Sequence, residues 1–171
     1  MRNGTRRAVT ASVVAALLSV LGAALPGGLA SSVALPKSQV DLCSAMFEVT
    51  SLRVSRGIPM NREKFSFPRL VFVRNAVSAQ SVATALCALP AMPSGPIACP
   101  ADFGFNYSLL FAAPGATVTD VRFDPTGCGQ VYGLGGAVRW TVQSPSLYRT
   151  LGDAMKLKNA TESTFGGALV R

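Results

Sequence analysis

The sequence predicts an α+β domain: an antiparallel β-sheet of about five strands, two helices packed on one face, and disulfide staples. Three observations predict it. Two runs, 105–111 and 117–124, carry apolar residues at every second position (Phe105, Tyr107, Leu109, Phe111; Val121, Phe123) around Ala113-Pro114-Gly115, which marks the arms of one hairpin. Two other stretches follow the helical period. Finally, Cys43, Cys87, Cys99 and Cys128 form an even set, the usual mark of a bridged fold in an exported chain.

The hairpin carries the most information. A three-residue loop at Ala113-Pro114-Gly115, with Pro fixing φ and Gly taking the left-handed position, sets Phe111 opposite Thr117, Tyr107 opposite Val121 and Phe105 opposite Phe123. The large residues then share one face, and Leu110 meets Val118 on the other. A slip of one residue would scatter both sets. Extended outward, this register brings Pro100 opposite Cys128, so a Cys99–Cys128 bridge would close the open end. Elimination leaves Cys43–Cys87. The rival is Cys87–Cys99, which would close the intervening proline-rich stretch locally.

Taken in order, residues 1–30 read as a secretory signal peptide. Arg2, Arg6 and Arg7 precede a small, apolar run, and Gly28-Leu29-Ala30 resembles a signal-peptidase site, with Gly22-Ala23-Ala24 and Ser32-Val33-Ala34 as competing sites. Thr5-Arg6-Arg7 also leaves the twin-arginine route open. Residues 31–46 read as a flexible lead, 47–156 as a single α+β domain, and 157–171 as a disordered tail. Within the domain, 47–56 is a strand ending at Gly57. The run 69–74 is apolar on both faces and reads as a central strand. Asn75 caps a helix carrying Ala79, Val82, Ala83 and Leu86, which ends before Pro90. Pro90, Pro93, Pro96 and Pro100 stiffen the loop leading to the hairpin. Val138-Arg-Trp-Thr-Val142 is a last strand with Trp140 in the core, and Ser144-Pro145 opens a second helix through Leu147, Tyr148, Leu151 and Met155.

The chemistry is sparse. The chain has no His, so the usual base for a Ser or Cys nucleophile is missing. No Cys-x-x-Cys pair marks a zinc site. Asp120 and Asp124 flank one strand and read as solvating it, not as a glycosidase pair. Gly133-Leu-Gly-Gly136 neither follows a convincing strand nor opens a helix, so it is no phosphate loop. The chain is therefore expected not to be an enzyme and to use no metal or cofactor.

Beyond the leader, 13 basic and 8 acidic residues give a net charge of about +5. The excess is densest between Arg53 and Arg74, where Arg53, Arg56, Arg62, Lys64, Arg69 and Arg74 face only Glu63. Phe65 and Phe67 read as strand residues and not as stacking platforms, so nucleic acid is not expected as a partner. A solvated basic surface facing an anionic cell envelope accounts for the charge.

These residues resemble the subtilisin-inhibitor family of small secreted serine-protease inhibitors of actinobacteria, over about Val49 to Val142. Thr50 to Gly57 looks like its first strand, Leu70 to Val73 like its second, and Ala85 to Leu89 like its cysteine-bearing helix. Cys99-Pro100 looks like the start of its inhibitory loop. The chain resembles still more the secreted actinobacterial proteins that share the signatures Cys99-Pro-Ala-Asp102 and Thr126-Gly-Cys128. The resemblance implies a five-stranded antiparallel sheet, two helices, two disulfides and an extracellular protease as partner. It puts Ala101 in the primary pocket of the protease and Asp102 just after the bond that would be cleaved. Two departures stand out: Arg74 stands near the family's first cysteine position, with Cys43 far upstream, and the acid at Asp102 would carry charge into a desolvated cleft. The alternative is an extracellular or cell-envelope binding module that keeps only the scaffold. Both monomer and homodimer are compatible with the sequence.

Overall fold

The computed structural model describes residues 39–58, 65–118, 120–142 and 144–166. The leader and its cleavage sites, residues 31–38 of the lead and residues 167–171 lie outside them.

The fold class is α+β, with a mainly antiparallel sheet and two disulfides. The central strand is β4 (Tyr107–Ala113). Along one side it pairs with β2 (Ser51–Arg56), which in turn pairs with β3 (Leu70–Val73). Along the other side it pairs with β5 (Ala116–Val118) and then β6 (Val121–Asp124), followed by β7 (Gln130–Tyr132) and β8 (Arg139–Trp140). The two-residue β1 (Gln39–Val40) lies parallel to β5, the one parallel pairing among the described residues. Among the described residues, eight short strands thus replace the five expected. The three extra ones are β1, β7 and the strand gained by the division of the hairpin's returning arm into β5 and β6.

The hairpin register differs from the expected one. Ala113 pairs with Ala116, so the turn is the two residues Pro114-Gly115, with Gly115 at φ +71°. A Pro-Gly pair fills both central positions of a type II turn and needs no third residue. The register then advances by one, from Ala112↔Thr117 to Leu109↔Val121 and Tyr107↔Phe123, so the returning arm carries one residue more, as at a bulge. The shift also puts Val118 in the core, not opposite Leu110 on the outer face. Because turn and bulge together move the pairing by two residues, the alternation survives. Tyr107, Leu109, Phe111, Val121 and Phe123 are all buried on one face.

Two helices cover that face. α2 (Ala76–Cys87) is capped by Asn75, whose Oδ1 accepts the Ser78 N–H at 2.9 Å, and buries Ala79, Val82, Ala83 and Leu86. α3 (Pro145–Ala154) starts on its proline and buries Leu147, Tyr148 and Leu151. Two short helices were not expected. α1 (Leu42–Ala45), capped by Asp41, buries Leu42 and is bridged to α2 through Cys43–Cys87, with Cα atoms 5.5 Å apart. From residue 39 onward the lead is therefore part of the fold. α4 (Glu162–Gly166) corrects the expectation of a disordered tail: Phe165 is fully buried against Tyr107, Phe123 and Tyr148, and the Tyr107 hydroxyl donates to its carbonyl at 2.7 Å. The chain turns back after α3 through Lys156 and Asn159, both at positive φ, and packs Ala160 where a side chain on Gly152 would stand.

Two further positions differ. β3 is an edge strand, not a central one: among the described residues it pairs only with β2, and Leu70 and Phe72 are 46% and 58% exposed. Trp140 is half-buried and pairs with Gln130 on the outer face of the sheet, so it is not core.

Burial raises the Tyr148 phenol from its ordinary 10.0 to about 12, against a smaller opposing effect from its hydrogen bond with Thr141 Oγ1 at 2.9 Å. Tyr107 is raised as well, by burial. A buried phenol that stays neutral while the unfolded chain ionises contributes stability that is complete below pH 10 and falls as pH rises towards 12. Urea titrations should show this alkaline loss, and Tyr148→Phe should make it shallower. Replacing Phe165 by Ala should cost about 3–5 kcal/mol in the same titrations, whereas a disordered tail would give no change.

Candidate functional site

The Cys99–Asp102 segment is exposed along its whole length and lies between two anchored flanks. On the upstream side the proline-rich stretch is tied to β8. The Trp140 N–H donates to Pro90 O at 2.9 Å, and the Met92 N–H donates to Val138 O at 2.8 Å. Arg139 Nη1 adds a bond to Leu89 O at 3.2 Å. Beyond Met92 the chain runs through Pro93 and Pro96, which restrict φ without secondary structure. On the downstream side Phe105 is buried and packs edge-on against Phe65.

The segment itself is pinned to the turn after β6. Cys99 and Cys128 are disulfide-bonded with Cα atoms 4.8 Å apart, as the hairpin argument expected, and the second bridge is Cys43–Cys87. The Cys87–Cys99 alternative is not formed. The β4–β6 ladder stops at Tyr107↔Phe123, so the bridge spans an irregular stretch and not a continued ladder. Asp102 supplies the other ties. Its Oδ1 accepts the Gly104 N–H and the Thr126 hydroxyl, both at 2.9 Å. Gly127 sits at φ +66°, and a Cβ there would lie 3.1 Å from Asp102 Cβ, so the turn needs glycine for both its conformation and this close approach. From there the support runs inward. Gly129 O accepts from the Thr141 N–H at 2.8 Å and from Thr141 Oγ1 at 3.1 Å, and Thr141 Oγ1 is bonded to Tyr148.

All four residues expected at the inhibitory loop, Cys99, Pro100, Ala101 and Asp102, are thus contiguous, exposed and braced. The Asp102 carboxylate is engaged within the loop. The Thr126 and Gly104 ties were missed from sequence, although Asp-x-Gly is the pattern in which a carboxylate caps the amide two residues on.

Arg122 is paired with Asp124 at 2.9 Å, which raises the guanidinium's pKa through that hydrogen bond and charge, and Asp120 accepts from the Ser108 hydroxyl at 2.6 Å. Phe65 carries the Arg56 guanidinium 3.5 Å from its ring centre, and Phe67 is buried. Among the described residues no group of three or more His, Cys, Asp or Glu could hold a metal, and no helix is long and apolar enough to cross a membrane. The disulfides fit an oxidising, extracellular setting. No family model, curated protein or solved structure matches the chain.

Asp102→Ala should lower the protection of the Gly104 amide against hydrogen exchange by roughly tenfold, the worth of one charge-assisted bond partly screened by water. Asp102→Asn, which keeps an acceptor oxygen, should restore most of it. Equal protection in all three proteins would show that the carboxylate does not brace the loop.

Proposed function

We propose that the protein is a secreted, non-catalytic inhibitor of extracellular serine proteases, of the subtilisin-inhibitor kind, acting through Pro100-Ala101-Asp102. The observation that supports this reading best is the exposed segment held at both ends, by the Cys99–Cys128 bridge and by the two hydrogen bonds of Asp102. A protease binds its substrate as an extended strand, so a segment already fixed loses little conformational entropy on entering the active site. Ala101 is the side chain offered to the primary pocket, and a methyl group suits a shallow apolar one. With its carboxylate engaged by Thr126 and Gly104, Asp102 brings a partly compensated charge to the cleft and not a bare one. The basic surface and the disulfides fit an extracellular protein that meets an anionic envelope. The second reading, a binding module that keeps only the scaffold, is favoured by Leu70 and Phe72, large apolar side chains exposed on the outer face of the sheet.

Titration against a panel of extracellular serine proteases tests the proposal. Ala101→Leu should tighten inhibition of a subtilisin-type enzyme by tenfold or more, since three added carbons bury about 2 kcal/mol of apolar surface. Replacing Cys99 and Cys128 together by Ser should weaken it. If both wild type and Ala101→Leu are inert with their bridges and melting temperatures intact, the loop is not inhibitory and the binding-module reading takes its place.

A further inference from the structure

The basic stretch between Arg53 and Arg74 contains the most exposed part of the sheet. Arg56 N–H donates to Arg69 O at 2.9 Å, and Val54 and Leu52 pair with Val71 and Val73. This register turns the main-chain groups of residues 69, 71 and 73 towards β2, so those of Leu70 and Phe72 point outward. Among the described residues no strand pairs with that outer edge. Inward of that edge a groove of about 350 Å³ runs over β2 between Phe72 and Leu110, with Arg53 and Arg74 in its wall and no carboxylate.

The charge pattern selects what can lie there. Arg69-Leu-Val-Phe-Val-Arg74 is four apolar residues between two arginines, and Arg53 pairs with both Phe72 and Leu110 on the outer face. None of Arg53, Arg69 and Arg74 is ion-paired among the described residues. A second copy pairing antiparallel along this edge would match Leu70 and Phe72 with their own kind and gather Arg53 and Arg74 of both copies on one continuous outer face with no acid between them, which like-charge repulsion opposes. Arginines alone guard an edge against self-association. They do not account for two large apolar side chains left in water between them.

We infer that the outer edge of β3 docks an extended segment of a partner protein that carries about four apolar residues with acids at one end. Main-chain hydrogen bonds to Leu70 and Phe72 supply the pairing, the apolar side chains cover Phe72 and Leu70, and the acids meet Arg74 and Arg53, whereas Arg69 turns back to β2, where its Nε donates to Arg56 O at 2.9 Å. The proposal is independent of the inhibitory loop, which lies in other elements.

The test uses the full oxidised chain and a labelled peptide, Asp-Asp-Val-Ile-Val-Ile-Asp-Asp, followed by fluorescence anisotropy and by amide shifts of residues 70–73. Binding is expected, with the shifts confined to β3 and its neighbours. A lysine-flanked peptide, a peptide N-methylated at alternate residues, and the double variant Arg53→Gln/Arg74→Gln should each bind at least tenfold more weakly. Phe72→Thr should do the same. The arginine double variant changes only exposed side chains and carries the test if Phe72→Thr fails to fold. Ala101→Leu should leave peptide binding unchanged. The inference is overturned if N-methylation has no effect, if no peptide binds the full chain because a segment of its own covers the edge, or if an oligonucleotide or anionic vesicles bind through these arginines while the peptide does not.

Discussion

Tyr107 is the residue on which the fold converges. Its ring lies on β4 with Phe123 and Phe67 on either side, and its hydroxyl holds the carbonyl of Phe165, the residue that brings the last helix into the core. A phenol buried this deeply needs a partner, because an unsatisfied hydroxyl away from water costs about 1–3 kcal/mol. The carbonyl of Phe165 supplies it. One side chain thus joins the central strand to the chain's C-terminal segment, and the neighbouring Tyr148 does similar work by bonding Thr141.

That convergence explains how the exposed loop stays ordered without secondary structure of its own. The chain from Tyr148 through Thr141 to Gly129 anchors the residues just beyond Cys128, and the disulfide and Asp102 carry that order out to the surface. Rigidity is inherited from the core, so the loop itself can be made of small residues. The edge at β3 follows a different design. It is regular backbone with no strand on its outer side among the described residues, and in the docking proposed for it the arginines beside it would supply the discrimination.

The elements with strong local signals were legible in the sequence. The alternation of Tyr107, Leu109 and Phe111, the Asn75 cap and the Ser144-Pro145 start all correspond to observed elements, because each is written in consecutive residues. Both cysteine pairs were reached as well, although the hairpin register behind one of them was displaced by the two-residue Pro114-Gly115 turn and the extra residue of the returning arm. What escaped was set by distant contacts. Phe165 is a lone aromatic in a polar tail, and nothing near it announces that Tyr107 will claim its carbonyl. The apolar run at β3 looked central because composition reports hydrophobicity but not neighbours, and the missing neighbour is a property of the sheet order. In the loop, the positions were legible and the brace was not, since Thr126 lies 24 residues from Asp102.

The two bridges also determine what a cut in the backbone can do. Cys43–Cys87 and Cys99–Cys128 close separate, non-overlapping rings. Hydrolysis of any one bond inside either ring, including the one after Ala101, leaves the chain a single covalent molecule whose new ends remain neighbours and cannot diffuse apart. Between Cys43 and Cys128, only the linker from Ala88 to Ala98 can be severed so as to release two pieces. That linker carries Pro90, Pro93 and Pro96, residues with a fixed φ and no amide hydrogen to offer an extended binding cleft. The covalent weak point between the rings is therefore written in the residues least suited to being cut.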